Sequence, residues 1–159
     1  MDKSKVIQAW REELQGRKKA ALARQKDARE GMRVDGDHRP ANRGERATVT
    51  SQGYLTEGVA KRLEDIQEAL DLLDRVGEGP RDKVVMGACV VALKQDGESF
   101  RFVLLPGGDA SEVASQWGAI WVLSPQAPLV RPFLGAEEGD EVDVLSTSRQ
   151  GLWEVAEVR

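Results

Sequence analysis

Cysteine, histidine and tyrosine each occur once in the 159 residues, at Cys89, His38 and Tyr54, and aromatic residues make up only 5 % of the chain. A single cysteine excludes an internal disulfide and fits a reducing compartment. One histidine speaks against both a Ser-His-Asp array and a His/Cys metal site. No apolar run approaches the roughly 20 residues that a membrane span requires. The opening MDKSK leads into an amphipathic pattern and not a signal segment. The expectation is a cytoplasmic protein with no membrane partner. At 40 % hydrophobic residues the chain has material for a modest core, in one domain or two small ones.

Charge is present in quantity but unevenly placed. The formal net charge is −4, yet between Met1 and Ser51 basic residues outnumber acidic ones by five, and the remainder is strongly acidic. Such a polarity points to a partner of mixed or negative charge near the first segment. The run Arg17, Lys18, Lys19, Arg24, Lys26 has two readings, a phosphate-binding strip that gains by counterion release or a solvated helix face.

Two stretches repeat apolar residues at threes, fours and sevens, the spacing of a one-sided helix. They are Ile7, Trp10, Leu14, Ala21 and Ala28, then Val59, Leu63, Ile66, Leu70 and Leu73. Ile7 with Leu73, Trp10 with Leu70, Leu14 with Ile66 and Ala21 with Val59 have residue numbers that add to 80. A constant sum is what antiparallel packing demands, and it places the turn at Pro40, a residue that helix interiors exclude. The spacing predicts helices over about Lys3 to Glu30, stopped by Gly31, and from Thr50 or Ser51 to about Arg75, with Gly77 and Gly79-Pro80 as a linker. An arm of about 28 residues would reach roughly 40 Å.

Between the arms lies RVDGDHRPANRGER, residues 33 to 46. Gly36, Pro40, Asn42 and Gly44 suit turn chemistry, with Asp35 or Asp37 accepting local backbone bonds. The carboxylates of Asp35, Asp37 and Glu45 also offer hard oxygens suited to Mg²⁺, while Arg33, Arg39, Arg43 and Arg46 favour phosphate or acidic protein surfaces.

Beyond Pro80 the texture turns to β. Val84 to Leu93 and Ser99 to Pro106 flank a polar turn as a hairpin, and Ala119 to Ser124 reads as a strand. A short helix is expected from Pro128 to Leu134, ending at Gly135, and Asp140 to Ser146 with Gly151 to Arg159 reads as a second hairpin. The predicted class is α+β: an antiparallel helical hairpin over 1–78 with its tip at 33–46, then a small antiparallel β domain over 79–159 with one short helix. Trp121, Trp153 and Cys89 read as core.

This order, together with SPQAPLVRPFLGAEEGDEVDV from Ser124 to Val144, resembles the Gre family of bacterial transcript-cleavage factors. The family's Ser-Pro, short helix, Leu-Gly, Gly-Asp run falls on Ser124-Pro125, Leu134-Gly135 and Gly139-Asp140. The resemblance implies an FKBP-like C-terminal domain that docks on core RNA polymerase, with Ser124, Pro125, Leu134 and Gly135 as the contact residues. It implies a hairpin entering the secondary channel, with Arg33, Arg39, Arg43 and Arg46 as channel or RNA contacts. Asp35, Asp37 and Glu45 would then help a second Mg²⁺, shared with the polymerase and held through Asp35 and Asp37 only in the complex, to cleave backtracked RNA. The chain itself would be no enzyme and hold no cofactor, act as a monomer and meet the nascent RNA 3′ end only indirectly. At the tip the sequence departs from the family: in His38-Arg39-Pro40-Ala41-Asn42, Ala41 stands where the family has Glu and His38 where it has Asp. Regulation by occupying the channel without cleavage is the alternative within this reading. Outside it stand an FKBP-type prolyl isomerase and a coiled-coil adaptor.

Overall fold

The computed structural model describes residues 3–31, 43–115, 118–145 and 149–159, the side chains of residues 31, 43–52 and 54–56 excepted. Along the chain come α1 (Lys3–Gly31), α2 (Arg43–Leu73), β1 (Cys89–Leu93), β2 (Ser99–Leu104), β3 (Asp109–Ser115), β4 (Gly118–Leu123), a single 3-10 turn (Arg131–Phe133), β5 (Glu141–Val144) and β6 (Gly151–Val158). Compactness divides the chain inside both helices, into one unit of Met1–Glu12 with Ala69–Arg159 and another of Glu13–Glu68.

Helix α1 follows its predicted span, but α2 opens at Arg43, well before Thr50. Arg43, Glu45, Arg46 and Ala47 are good helix formers and outweigh the single Gly44. The predicted tip of 33–46 is therefore corrected at its far end, since residues 43–46 belong to the first turn of a helix. In the Glu13–Glu68 unit, Leu14, Ala21 and Ile66 are buried and Lys18 hydrogen-bonds through Nζ to the Gln67 side chain. In the other unit Arg11 pairs with Asp74 at 2.9 Å. Each of these polar contacts joins the residue just after a seam position on one helix to its counterpart on the other. In each pair the residue numbers add to 85, as antiparallel pairing requires.

The six strands form one sheet in the order β3-β4-β2-β1-β6-β5. It is mixed and not purely antiparallel as expected: Phe102, Val103 and Leu104 of β2 lie parallel to Trp121, Val122 and Leu123 of β4. The cause is β3, which the sequence reading passes over. The chain leaves β2, runs back along the sheet edge as β3, and returns as β4 between the two, so β4 takes the direction of β2. Its sequence DASEVAS holds one β-branched residue, a weak strand signal. The first predicted strand is also shorter, beginning at Cys89, because Gly87 has φ of +84° and breaks the extended run. The predicted helix near Leu134 is only the turn Arg131–Phe133, since Pro132 has no N–H with which to extend a ladder.

One sheet face carries the main core, with Val90, Ala92, Phe100, Phe102, Leu104, Leu123, Val142, Trp153 and Val155 closed over by Val130 and Phe133. Alternation puts Cys89, Val103 and Val122 on the other face, and they too are buried, so the strands there read as apolar on both sides. The same unit buries Val6, Ile7, Trp10 and Leu73. Trp10 donates its indole N–H to the Pro106 carbonyl at 3.0 Å, and Lys3 donates to the Gly79 carbonyl. Cys89 is core as expected, and burial pushes its thiol up to about 11, a shift that nearby Lys3 partly opposes. Desolvation in turn lowers the Lys3 ammonium.

Candidate functional site

The segment from Ser124 to Gly135 leaves β4, crosses the core face and rejoins the chain at Val84. It opens with a side-chain-capped turn: the Gln126 N–H donates to Ser124 Oγ at 3.1 Å and the Ala127 N–H to the Ser124 carbonyl at 2.9 Å. Ser124 Oγ also meets the Gln126 side chain. Below this turn the chain is packed tightly, because a Cβ on Gly108 would collide with the backbone of Leu123 and Ser124. Phe133 is fully buried, its ring 5.5 Å from that of Phe102, and this anchors the 3-10 turn to the core. Leu134, next in sequence, is 42 % exposed.

Gly135 has φ of +84° and donates to the Val84 carbonyl at 2.9 Å, while the Val84 N–H donates to the Ala136 carbonyl at 2.9 Å. A salt bridge from Lys83 to Glu137 at 2.8 Å flanks this pairing and raises the Lys83 ammonium. Farther along, Asp140 accepts from the Glu137 N–H at 2.8 Å, and Gly139 donates to the Val155 carbonyl at 2.8 Å. The motif residues thus divide by task. Gly135, Gly139 and Asp140 shape backbone; Leu134 is exposed, and Ser124 and Pro125 are half-exposed, which leaves those three with surface to offer a partner.

Arg33, Asp35, Asp37, His38, Arg39 and Pro40 lie outside the described residues. Arg43, Glu45 and Arg46 lie on the opening turn of α2. Among the described residues no group of three His, Cys, Asp or Glu side chains is placed to hold a metal ion. In the basic run of α1, Arg17 pairs with Glu13 at 2.8 Å and Lys26 lies 3.8 Å from Glu30, while Lys19 and Arg24 are exposed. No described helix is long and apolar enough to cross a membrane.

A feature that sequence reasoning missed lies on the core side of β2. The Arg149 guanidinium sits 4.4 Å from the Phe100 ring centre and 5.5 Å from that of Trp121, with Glu98 holding it at 2.8 Å. Lys94, also bonded to Glu98, lies 4.7 Å from the Trp153 ring. Phe100, Phe102, Phe133 and Trp153 are themselves buried. Among the described residues, the aromatics that an isomerase would need as pocket walls are therefore used as core or covered by cations. Only the register of the β1–β2 turn against residue 149 brings Glu98 and Arg149 together, and nothing in the spacing of 51 residues announces it.

A helical pair followed by a mixed-sheet unit defines the class as α+β. No family model matches the chain. The transcription elongation factor GreA of Mesorhizobium japonicum is 30 % identical over 105 residues, covering 66 % of this chain and 63 % of that protein. GreA of Sulfurovum sp. is 26 % identical over 113 residues, covering 70 % of this chain and 65 % of its own length. The chain thus spans just under two thirds of these relatives. Its resemblance to the Gre factors extends well beyond the Ser124–Val144 run. The crystal structure of GreA factor homolog 1 (Gfh1) of Thermus thermophilus aligns over 94 % of both chains at 16 % identity with a TM-score of 0.39, a superposition from which nothing about function follows.

Proposed function

We propose that this chain is a transcription elongation factor of the Gre kind that binds core RNA polymerase. Its sheet unit docks through Ser124, Pro125, Leu134 and Gly135, and its helical pair carries residues 33–46 into the secondary channel. Arg33, Arg39, Arg43 and Arg46 there face RNA phosphate or acidic protein surface. The observation that carries the reading is the 30 % identity to a GreA over 105 residues. The exposure of Leu134 beside a rigid Ser124 turn supports the docking assignment.

Within this reading two modes differ at the tip. In the cleavage mode Asp35, Asp37 and Glu45 raise the occupancy of a second Mg²⁺ shared with the polymerase. In the occupancy mode the tip regulates by filling the channel. One observation favours occupancy: Ala41 stands where the family has Glu.

Co-sedimentation with core RNA polymerase tests the binding, and loss of it in Leu134→Ser with Ser124→Ala is the expected outcome. Failure of the unaltered chain to sediment with polymerase would remove the proposal. A cleavage assay on backtracked complexes then separates the modes. Cleavage stimulated by the unaltered chain and lost on alanine at Asp35, Asp37 and Glu45 establishes the first; no stimulation despite binding establishes the second.

A further inference from the structure

The sheet face opposite the main core is buried at one end and open at the other. Val103 and Val122 are fully buried, but Leu93, Leu145 and Leu152 on the same face are 39 %, 71 % and 44 % exposed. Register fixes their company. Asp143 lies across from Leu152, Glu141 across from Glu154, and Leu93 across from Glu154 on the other side of β6. Since Val142, Val144, Trp153 and Val155 point into the core, the alternating residues Glu141, Asp143, Leu145, Leu152 and Glu154 point away from it.

Two properties of this face are unusual for a surface with no partner. Glu141 and Glu154 oppose each other directly, a like-charge pair that costs stability. None of Glu141, Asp143 and Glu154 has an ion pair or side-chain hydrogen bond among the described residues, and β5 and β6 contain no Lys or Arg. Exposed Leu93 on β1 and Leu152 on β6, with Leu145 directly after the end of β5, complete the face. Strands about 4.8 Å apart make β1, β6 and β5 about 10 Å across, close to the diameter of an α-helix.

We propose that this face docks a basic amphipathic helix of a partner protein. Leu93, Leu145 and Leu152 receive its apolar stripe, and Glu141, Asp143 and Glu154 receive the lysines or arginines beside that stripe. Charge complementarity selects the sign of the partner, and desolvation beside the leucines strengthens each ion pair. The edge strand β5 has only four residues, which argues for a helix laid across the face over a strand added to its edge. This surface is separate from the Ser124–Gly135 segment, so the inference goes beyond the proposed polymerase docking.

The test uses the full chain and three synthetic peptides. One has leucine at helical spacing with lysine between, one has the same leucines with glutamate between, and one alternates leucine and lysine as a strand. Amide NMR shifts locate binding and titration gives affinity. The helical lysine peptide is expected to shift β1, β5 and β6, and the glutamate peptide is expected not to bind. Leu152→Ser, Leu145→Ser and the pair Glu141→Gln with Glu154→Gln should each weaken binding by about tenfold. All these side chains are solvent-facing, and a thermal midpoint no lower than that of the unaltered chain shows each variant folded. No binding, shifts confined to other elements, equal binding of the glutamate peptide, preference for the alternating peptide, or indifference to all three variants would each overturn the proposal. Polymerase sedimentation of the same variants reports separately on the earlier reading.

Discussion

The two compact units differ in how they are held. Residues 1–12 with 69–159 bury five large aromatics completely, Trp10, Phe100, Phe102, Phe133 and Trp153, with Phe100 placed 4.9 Å from Phe102 and 6.0 Å from Trp153 between ring centres. Residues 13–68 bury little beyond Leu14, Ala21 and Ile66 among the side chains described. Area buried scales with stabilisation, so the first unit should resist unfolding and the second should open locally at lower cost. A dense core suits an anchor, whereas a thin seam leaves surface positions free to be chosen for charge.

The largest test of this contrast is Trp153→Ala. Loss of a fully buried indole, with its N–H to the Arg149 carbonyl at 2.9 Å, should cost about 3 to 5 kcal/mol. Denaturant unfolding followed by near-UV circular dichroism would measure it. A much smaller cost would mean the sheet core is not the main store of stability. Ile66→Ala in the other unit should cost only about 2 kcal/mol, at the low end for such a truncation, because the site is next to a thin seam and relaxes readily. Hydrogen exchange should then be faster in residues 13–68 than in the sheet, and equal protection would erase the comparison.

Alkali sharpens the contrast. The Cys89 thiol is raised from 9 to about 11 by burial, so the folded state holds the proton that the unfolded state releases. Its contribution is therefore full below pH 9 and is lost as pH rises from 9 towards 11, by an amount on the order of 2 kcal/mol. Cys89→Ala should flatten that dependence in an unfolding series between pH 8 and 11. The smallest effect expected is a gain of about 0.5 kcal/mol in Glu141→Gln, from relief of the like-charge pair with Glu154. A loss there would show that the pair is compensated in the free protein.

Much of the architecture follows from local pattern. The apolar repeats from Ile7 to Ala28 and from Val59 to Leu73 needed only helical periodicity to be read, and the structure keeps both helices. Gly135 and Gly139 were marked by the motif, and their left-handed backbone explains why glycine is needed there. The sheet was harder. Edge strand β3 has weak strand chemistry because its exposed side chains need not be apolar, and missing it hid the parallel β2 and β4 pair. The start of α2 at Arg43 escaped because Gly44 imitates a turn.

Composition and periodicity were sufficient for the class of fold, the two helices and the order in which they precede the sheet, since these depend on neighbours a few residues apart. The seating of Arg149 over Phe100 and Trp121, the parallel strand pair and the acidic leucine face of β1, β6 and β5 were settled only by tertiary structure. Each depends on register between segments distant in sequence, and a one-residue slip in a strand would send every side chain to the opposite face.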